Sequence, residues 1–168
     1  ILDHVAEHEA RDVGVHAHGQ AQFHLVAHVD VLDQRAIAIV QRDRLHRGLD
    51  ALQLTEFSQL FAREGSWAGS SSNFVPVKGP GNIKAMLEKS YGGRVYDPKR
   101  VSNVHVMSNA TITVKGDRAS GYSRWTVMTR NDKDEPFVRQ LGHYEDEYIR
   151  EDGRWKFANR QAFTEITQ

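Results

Sequence analysis

The fold is decided by residues 101–163, which read VSNVHVMSNATITVKGDRASGYSRWTVMTRNDKDEPFVRQLGHYEDEYIREDGRWKFANRQAF. Stretches rich in Val, Ile, Thr and aromatic residues alternate here with short turns that contain Gly, Asp or Asn. These turns are too short for the crossover that parallel strands need, so they indicate antiparallel hairpins. We therefore expect a four-stranded antiparallel meander, with strands over 103–114, 119–129, 137–150 and 154–163.

Two helices are predicted on the N-terminal side of this meander. The stretch 34–50 is rich in helix formers and carries a rough apolar stripe, with charged residues on its other face. The stretch 55–65 places Phe57, Leu60 and Phe61 at the i, i+3, i+4 spacing of one buried helix face. Both patterns predict helices that pack against the sheet.

A short strand and a third helix are predicted between these helices and the meander. Residues 74–77 are typical of an edge strand, limited by Pro76, and 82–91 is typical of a helix that ends at two glycines. Helices that are segregated from a sheet predict an α+β domain. We expect a curved antiparallel sheet that packs against about three N-terminal helices and encloses a pocket for a small apolar ligand.

Composition limits the classes of partner. The chain has 168 residues, a formal net charge of zero and no cysteine. The charge favours neither nucleic acid nor an acidic membrane surface as a partner, and without cysteine there are no disulfides or thiolate metal sites. No apolar run approaches the roughly 18 residues of a membrane span. No signal peptide is visible either, so we expect a cytoplasmic location. The expected pocket predicts a small-molecule ligand.

Residues 1–33 differ from the rest of the chain. Six of the nine histidines lie here: His4, His8, His16, His18, His24 and His28. Two pairs, His4 with His8 and His24 with His28, have the i,i+4 spacing that could bind a metal from one helix face, but no accompanying carboxylate motif is present. We interpret 1–33 as a His-rich extension, weakly amphipathic or partly disordered, and 34–168 as the folded domain. No metal site and no cofactor are predicted.

From about Arg35 to its end, the chain resembles the SnoaL-like branch of the nuclear transport factor 2 (NTF2)-like superfamily. The segments that carry the resemblance are GLDALQLTEFSQLFAREGSW, KGPGNIKAML, VHVMSNATITVKGDRASGYSRWTVM and GHYEDEYIREDGRWKF. The resemblance implies a cone-shaped α+β fold with a pocket and a homodimer or homotrimer. The superfamily includes dehydratases, isomerases, dehydrohalogenases, oxygenase β subunits and proteins without catalysis, so the fold does not decide the activity.

The resemblance also implies a catalytic pair. Scytalone dehydratase and the lindane dehydrochlorinase eliminate a small leaving group with a histidine base that an aspartate orients. The matching positions here are Asp50 in GLDAL and His105 in NVHVMSN. A neutral imidazole can take a proton from carbon at neutral pH, and a carboxylate on its other nitrogen fixes the tautomer. Asp50 could instead cap a turn, and His105 could be a wall histidine. Leu45 stands where many relatives have a tyrosine.

Further candidates for the pocket come from strand alternation and from the resemblance. Met107 and Asn109 share the face of His105 if no bulge intervenes. Trp125 is a candidate either for the core or for a substrate contact. The resemblance implies that His143 is a second acid or donor and that Lys156 holds an anion.

Two groups on the last strands are interpreted as surface residues. Tyr144, Asp146 and Tyr148 are expected at a subunit interface or in solvent. The acidic run 145–147 is interpreted as balancing the charges of Arg150, Arg154 and Arg160 through cross-strand pairs.

These observations favour a cofactor-independent lyase or isomerase that acts on a small, largely apolar cyclic compound, oxygenated or halogenated. In this hypothesis His105 abstracts a proton, Asp50 orients His105, and His143 or a water molecule assists the leaving group. The alternatives are a non-catalytic binding or oligomerisation module and an accessory subunit of an oxygenase. The chain has no glycine-rich phosphate loop and no nucleophile elbow, so nucleotide use and serine hydrolysis are not expected.

Overall fold

The structure is a computed structural model that describes residue 33, residues 35–37 and residues 45–167, except for the side chains of 45–47 and 109. The chain divides after Asp33 into two units, and the unit described below is Gln34–Gln168. The predictions for the histidines of 1–33 lie outside the described residues. Among the described residues, no helix combines the length and the apolar character needed to cross a membrane.

Within residues 45–167, three α-helices and six strands make an α+β domain. The helices are α1 (Leu45–Asp50), α2 (Leu54–Ser58) and α3 (Pro80–Tyr91). The strands are β1 (Phe61–Gly69), β2 (Val77–Lys78), β3 (Asn103–Lys115), β4 (Arg118–Arg130), β5 (Pro136–Glu151) and β6 (Arg154–Thr167). One sheet contains all six strands in the order β2-β1-β6-β5-β4-β3. The predicted α+β class and the four-stranded meander, β3 to β6, are confirmed.

Turn chemistry explains why the meander could be predicted. The β5–β6 hairpin turns at Asp152 and Gly153, whose φ angles of 52° and 72° are both positive, as a two-residue hairpin turn requires. The third helix was also predicted closely. It begins at Pro80 and is capped by Gly92 at a φ of 57°.

The predicted helix over 55–65 is wrong after Ser58. The chain forms β1 from Phe61 onward, and β1 lies parallel to β6, the last strand of the meander. The Phe157 backbone N–H donates to the carbonyl oxygen of Leu60, so pairing with β6 overrides the local helical pattern. Gly65 does not end a helix but lies inside β1, where a Cβ atom would stand 2.6 Å from the carbonyl oxygen of Phe157. The expected edge strand over 74–77 is β2, which begins at Val77.

The two faces of the sheet differ in what covers them. The inner face, defined here as the face with Ala119, Trp125 and Val127, packs against the helices. The main apolar core joins helix residues to inner-face residues of the sheet, among them Ile37, Leu49, Leu54, Phe57, Ile83, Leu87, Ala119, Tyr148, Trp155 and Phe157. A second, smaller cluster contains Trp125, Val127 and Tyr144, with Met107 and Ala162 packed against it. The opposite, outer face carries Tyr122, Arg124 and His143.

Candidate active site

Asp50 and His105 are in direct contact. Asp50 is the last residue of α1, and His105 is the third residue of β3. Oδ1 of Asp50 lies 2.5 Å from Nδ1 of His105, and Oδ2 accepts a hydrogen bond of 3.0 Å from the backbone N–H of His105. Both oxygens of the carboxylate therefore hold the same residue, one through its ring and one through its backbone.

This clamp determines what the imidazole can do. An ionised carboxylate only accepts hydrogen bonds, so the contact requires the proton of the neutral ring to be on Nδ1. The lone pair is then on Nε2, which can act as a base. The side chains of Asp50 and His105 are only 14% and 12% exposed, so the pair works in a largely desolvated place.

Strand register places the neighbours of His105. His105 pairs with Val127 and Met107 pairs with Trp125, and residues directly opposite each other in a sheet share a face. Trp125 and Val127 are 5% and 8% exposed. The predicted shared face of His105 and Met107 is thus observed, and it is the inner face.

The alternation along β3 is interrupted near Asn109. The register between β3 and β4 shifts between Ser108 and Thr111. Beyond the shift, Ile112 packs against the core, whereas Thr111 pairs with Tyr122 of the outer face. The prediction that Asn109 shares the face of His105 falls inside this bulge, and the Asn109 side chain is not among those described.

A buried ion pair lies on the inner face of β5 and β6. Nε and Nη2 of Arg160 each donate a hydrogen bond of 2.7 Å to the carboxylate of Asp146, and the hydroxyl of Tyr148 donates to the same carboxylate at 2.9 Å. The guanidinium carbon lies 4.0 Å from the ring centre of Tyr144 and 4.2 Å from that of Phe157. Burial disfavours the charged guanidinium, but the charge and hydrogen bonds of Asp146 outweigh it, so the pKa of Arg160 lies above its ordinary value.

The expected position of Tyr144, Asp146 and Tyr148 at an interface or in solvent is wrong. The expected cross-strand pair between the acidic run and Arg160 is observed, but it is buried. Tyr144, Asp146, Tyr148 and Arg160 are at most 4% exposed. Tyr144, Asp146 and Tyr148 face inward because they pair with Ser123, Gly121 and Ala119 of the inner face of β4. For Arg160 the physical reason is a bulge in β6: Tyr148 pairs with Phe157 and Glu147 with Asn159, which leaves Ala158 as an extra residue. Simple alternation from Trp155 and Phe157 places Arg160 outside, and the extra residue turns it inward.

Three donors on the inner face have no hydrogen-bond partner among the described residues. They are Oγ of Ser123, Nε1 of Trp125 and Nη1 of Arg160. Their residues are 1%, 5% and 0% exposed. Buried polar groups are nearly always paired, so three unpaired donors on one face require an explanation.

Two tyrosines lie close enough to Asp50 to sense its charge. Burial, and then the charge of Asp50, raises the pKa of Tyr91 to about 12. Burial raises the pKa of Tyr144 to about 12 as well, with Arg160 opposing the shift and Asp146 and Asp50 adding to it. Both phenols therefore keep their protons at neutral pH. Tyr91 also lines, with Asp50, Ser102 and Asn103, a cavity of about 10 Å³, which is about enough for one water molecule.

His143 and Lys156 are not brought together with the Asp50–His105 pair. His143 pairs with Arg124 on the outer face, where Nδ1 lies 2.7 Å from Oε1 of Glu165. Its ring stacks between Tyr122 and Phe163, at centroid distances of 5.1 and 4.6 Å. Lys156 donates a hydrogen bond of 3.1 Å to Glu151. Lys156 also lines a separate cavity of about 480 Å³ beside α2, and this cavity does not include the pair.

Among the described residues there is no group of three or more His, Asp or Glu side chains that could hold a metal ion. The i,i+4 histidine pairs of 1–33 lie outside the described residues.

The model of the SnoaL-like domain family matches residues 29–161. The chain belongs to the SnoaL-like domain family. Its fold is NTF2-like, and solved structures with a cystatin-like fold share it. No curated protein matches the sequence.

Three solved structures show the range of proteins that share this fold. A candidate scytalone dehydratase from Novosphingobium aromaticivorans is 24% identical, with a TM-score of 0.67 over 82% of this chain and 87% of that chain. Hexachlorocyclohexane dehydrochlorinase LinA-type3 from Novosphingobium barchaimii is 18% identical, with a TM-score of 0.66 over 82% and 90%. The β subunit of a candidate aromatic-ring-hydroxylating dioxygenase from N. aromaticivorans is 20% identical, with a TM-score of 0.66 over 85% and 94%. At these identities the likeness shows the fold alone.

Proposed function

We propose that this SnoaL-like protein is a cofactor-independent lyase or isomerase that removes a proton from carbon in a small, largely apolar cyclic substrate. The observation that supports this is the clamp of Asp50 on His105, which leaves Nε2 as the basic atom. The dehydratase and the dehydrochlorinase among its structural neighbours are consistent with such chemistry. We propose that Met107 and Trp125, on the same face as His105, line the substrate pocket.

The proposed reaction begins at Nε2 of His105. Nε2 takes the proton, and the electron pair of the C–H bond forms a new carbon–carbon π bond. In an elimination, the bond to the leaving group on the neighbouring carbon breaks, and its electron pair departs with that group as halide, or as hydroxide that takes the proton from the His105 imidazolium and leaves as water. In an isomerisation, the π electrons of an adjacent carbonyl group move onto its oxygen and return when the imidazolium delivers the proton to a different carbon. Asp50 stabilises the imidazolium that forms in between and keeps the ring oriented.

The proposal gives no role to His143, because that residue faces the other side of the sheet and is held by Glu165. It also leaves out Lys156, which pairs with Glu151. These two placements provide controls within the chain, since each offers a matched substitution outside the proposed site.

The direct test measures proton abstraction itself. Cyclic ketones and β-hydroxy ketones are incubated in D₂O with the protein, and exchange of the activated C–H is followed by proton NMR, together with any loss of water. We expect the His105→Gln variant to lower the exchange rate by about 10²–10⁴-fold. Asp50→Asn should lower it as well, because the ring loses its orienting acceptor, whereas the matched His143→Gln control should leave the rate unchanged.

Two results would contradict the proposal. Exchange that persists at the wild-type rate in His105→Gln would show that another group is the base. A wild-type protein that binds ring compounds but exchanges none of them would favour a non-catalytic binding module of the same fold.

A further inference from the structure

We infer that Ser123, Trp125 and Arg160 form a subsite for hydrogen-bond acceptors, so that the ligand is an oxygenated ring compound and not a hydrocarbon or a purely halogenated ring. This inference rests on the proposed function for the position of the ligand beside His105. It goes further by naming the substrate class and the residues that select it.

The first step is the state of the three donors. The hydroxyl of Ser123, the indole N–H of Trp125 and one N–H group of Arg160 are buried and unpaired within the described residues. A buried donor without a partner loses its hydrogen bond to water and gains none in return, so each such group requires an explanation. Three donors on one face of one sheet are therefore better explained by an external acceptor than by three separate packing faults.

The second step is that the three donors belong to one patch. Ser123 lies directly opposite Tyr144 across the β4–β5 pair. The ring of Trp125 lies 5.8 Å from the ring of Tyr144, and the guanidinium of Arg160 lies over the same ring at 4.0 Å. The side chain of Tyr144 is thus the common neighbour of all three.

The third step relates this patch to the base. His105 pairs with Val127 and Met107 pairs with Trp125, so Trp125 is the diagonal neighbour of His105 on the inner face. Diagonal neighbours in a sheet are roughly 7–8 Å apart, which is comparable with the width of one six-membered ring and its substituent. A ring with its acidic carbon at His105 would therefore place an oxygen substituent near the indole N–H.

The fourth step is the kind of acceptor. The indole and guanidinium groups can only donate hydrogen bonds. Nε–H and Nη2–H of Arg160 donate to the two carboxylate oxygens of Asp146, and this carboxylate balances the positive charge of the guanidinium. A neutral carbonyl or hydroxyl oxygen therefore fits this patch without any need for a charged ligand. Carbon-bound halogen is a poor hydrogen-bond acceptor, so a halogenated ring would leave the donors unpaired.

The test compares two ligands that share a skeleton and differ in one oxygen. Indan-1-one carries a ring carbonyl, and indane does not. Each is titrated into the full-length ¹⁵N-labelled protein, and the indole N–H signals of Trp67, Trp125 and Trp155 are followed by NMR. The signal of Trp125 is assigned with Trp125→Phe, which keeps an aromatic ring but removes the donor.

We expect indan-1-one to bind about tenfold more tightly than indane and to move the Trp125 indole signal, as a new hydrogen bond would. Trp125→Phe and Ser123→Ala should each reduce the affinity for the ketone by about fivefold to tenfold more than they reduce the affinity for indane. Ser120→Ala, a matched change at an exposed position of the same strand, should alter neither. Equal affinity for the two ligands, no binding of the ketone, or a Trp125 signal that stays in place would overturn the inference.

Failure of the subsite and failure of the proposed function can be told apart. The indan-1-one titration reports on the subsite and the C–H exchange assay reports on His105, so each result is read separately. If ketones bind through Trp125 but no C–H exchange is found, the subsite stands and the catalytic proposal fails. If exchange depends on His105 but the Trp125 signal does not respond, the reverse holds.

Discussion

At the scale of single residues, the inner face contains charged and polar groups that are buried and contact one another. Tyr91 and Tyr144 keep their protons, Asp50 holds the ring of His105, and Arg160 is matched by Asp146. The outer face instead places its charged groups in water, where Arg124 and Glu165 pair at 2.9 Å with partial exposure. The buried polar and charged side chains are thus concentrated on one side of the sheet.

The two tyrosines make stability depend on alkaline pH. Their pKa values are about 12 in the folded protein against the ordinary value near 10, so folding favours the protonated phenols. Their contribution is complete below pH about 10 and is lost as the pH rises through about 12. We expect unfolding midpoints in urea to fall over this range, and Tyr144→Phe to flatten the fall. A midpoint that stays constant up to pH about 12 would contradict these shifts.

The buried pair of Arg160 and Asp146 predicts a large effect of a small substitution. Asp146→Asn removes the negative charge and leaves the guanidinium buried without a counter-ion, so we expect a loss of about 3–5 kcal/mol in the free energy of unfolding. The matched control is Asp117→Asn at the exposed pair with Arg150, where the loss should be below about 1 kcal/mol. Urea denaturation measures both. Similar losses in the two variants would show that the Asp146 pair is not desolvated.

At the scale of elements, irregular strands decide which residues reach the site. The hairpin turns and α3 follow from local sequence, because Gly, Asp and Pro fix the backbone where they occur. Alternation was reliable only up to the first bulge. The shift between Ser108 and Thr111 limits what can be said of Asn109, and the extra residue Ala158 turns Arg160 into the core.

A third irregularity lies beside Trp125. The β5–β6 register shifts between Leu141 and Gly142, and a Cβ atom at Gly142 would clash with the carbonyl oxygen of Phe163 and lie 2.8 Å from the indole of Trp125. Only glycine lets the two strands and the indole approach so closely. Position 142 therefore sets the place of the Trp125 ring.

We expect Gly142→Ala to lower the free energy of unfolding by about 1–3 kcal/mol and to shift the tryptophan emission, because the indole must move. Gly81→Ala is the control, since nothing lies within 4 Å of its added Cβ in α3. That change should be neutral or slightly stabilising. If Gly142→Ala left both stability and emission unchanged, the close approach would be contradicted.

At the scale of the whole molecule, long-range contacts explain what the sequence could not provide. The pairing of Asp50 with His105 spans 55 residues, and its prediction came from a family resemblance and not from local pattern. The parallel pairing of β1 with β6 has no local signal in the sequence, so Phe61 was predicted to be part of a helix. The role expected for His143 came from a similar motif, but the register of β5 places its ring on the outer face.

The outer face predicts how copies of the chain associate. Two cross-strand rows carry apolar side chains there, Val104–Met128–Val138 and Val106–Thr126–Leu141–Ile166. Val104, Val106, Val138 and Ile166 are 42%, 43%, 41% and 57% exposed, and contiguous exposed apolar residues of this kind mark interaction surfaces. We expect the homodimer or homotrimer that the family resemblance implies to use this face.

Light scattering after size-exclusion chromatography measures the association. The double variant Val106→Glu, Ile166→Glu should shift the protein to monomer, because each charge would be buried without a partner. Val95→Glu, at an apolar residue that is 89% exposed in a loop, should leave the mass unchanged. A monomeric wild type, or an oligomer that tolerates the double variant, would contradict the assignment of this face.

We propose that Asp50 fixes the tautomer of His105, and long-range ¹H–¹⁵N correlation NMR tests this most directly. Spectra are recorded over a series of increasing pH values, and the His105 signals are assigned with His105→Gln. We predict that Nδ1 of His105 carries the proton, that Nε2 is unprotonated, and that Asp50→Asn loses this preference. A wild-type His105 with its proton on Nε2 would contradict the account, because the atom proposed as the base would already be occupied.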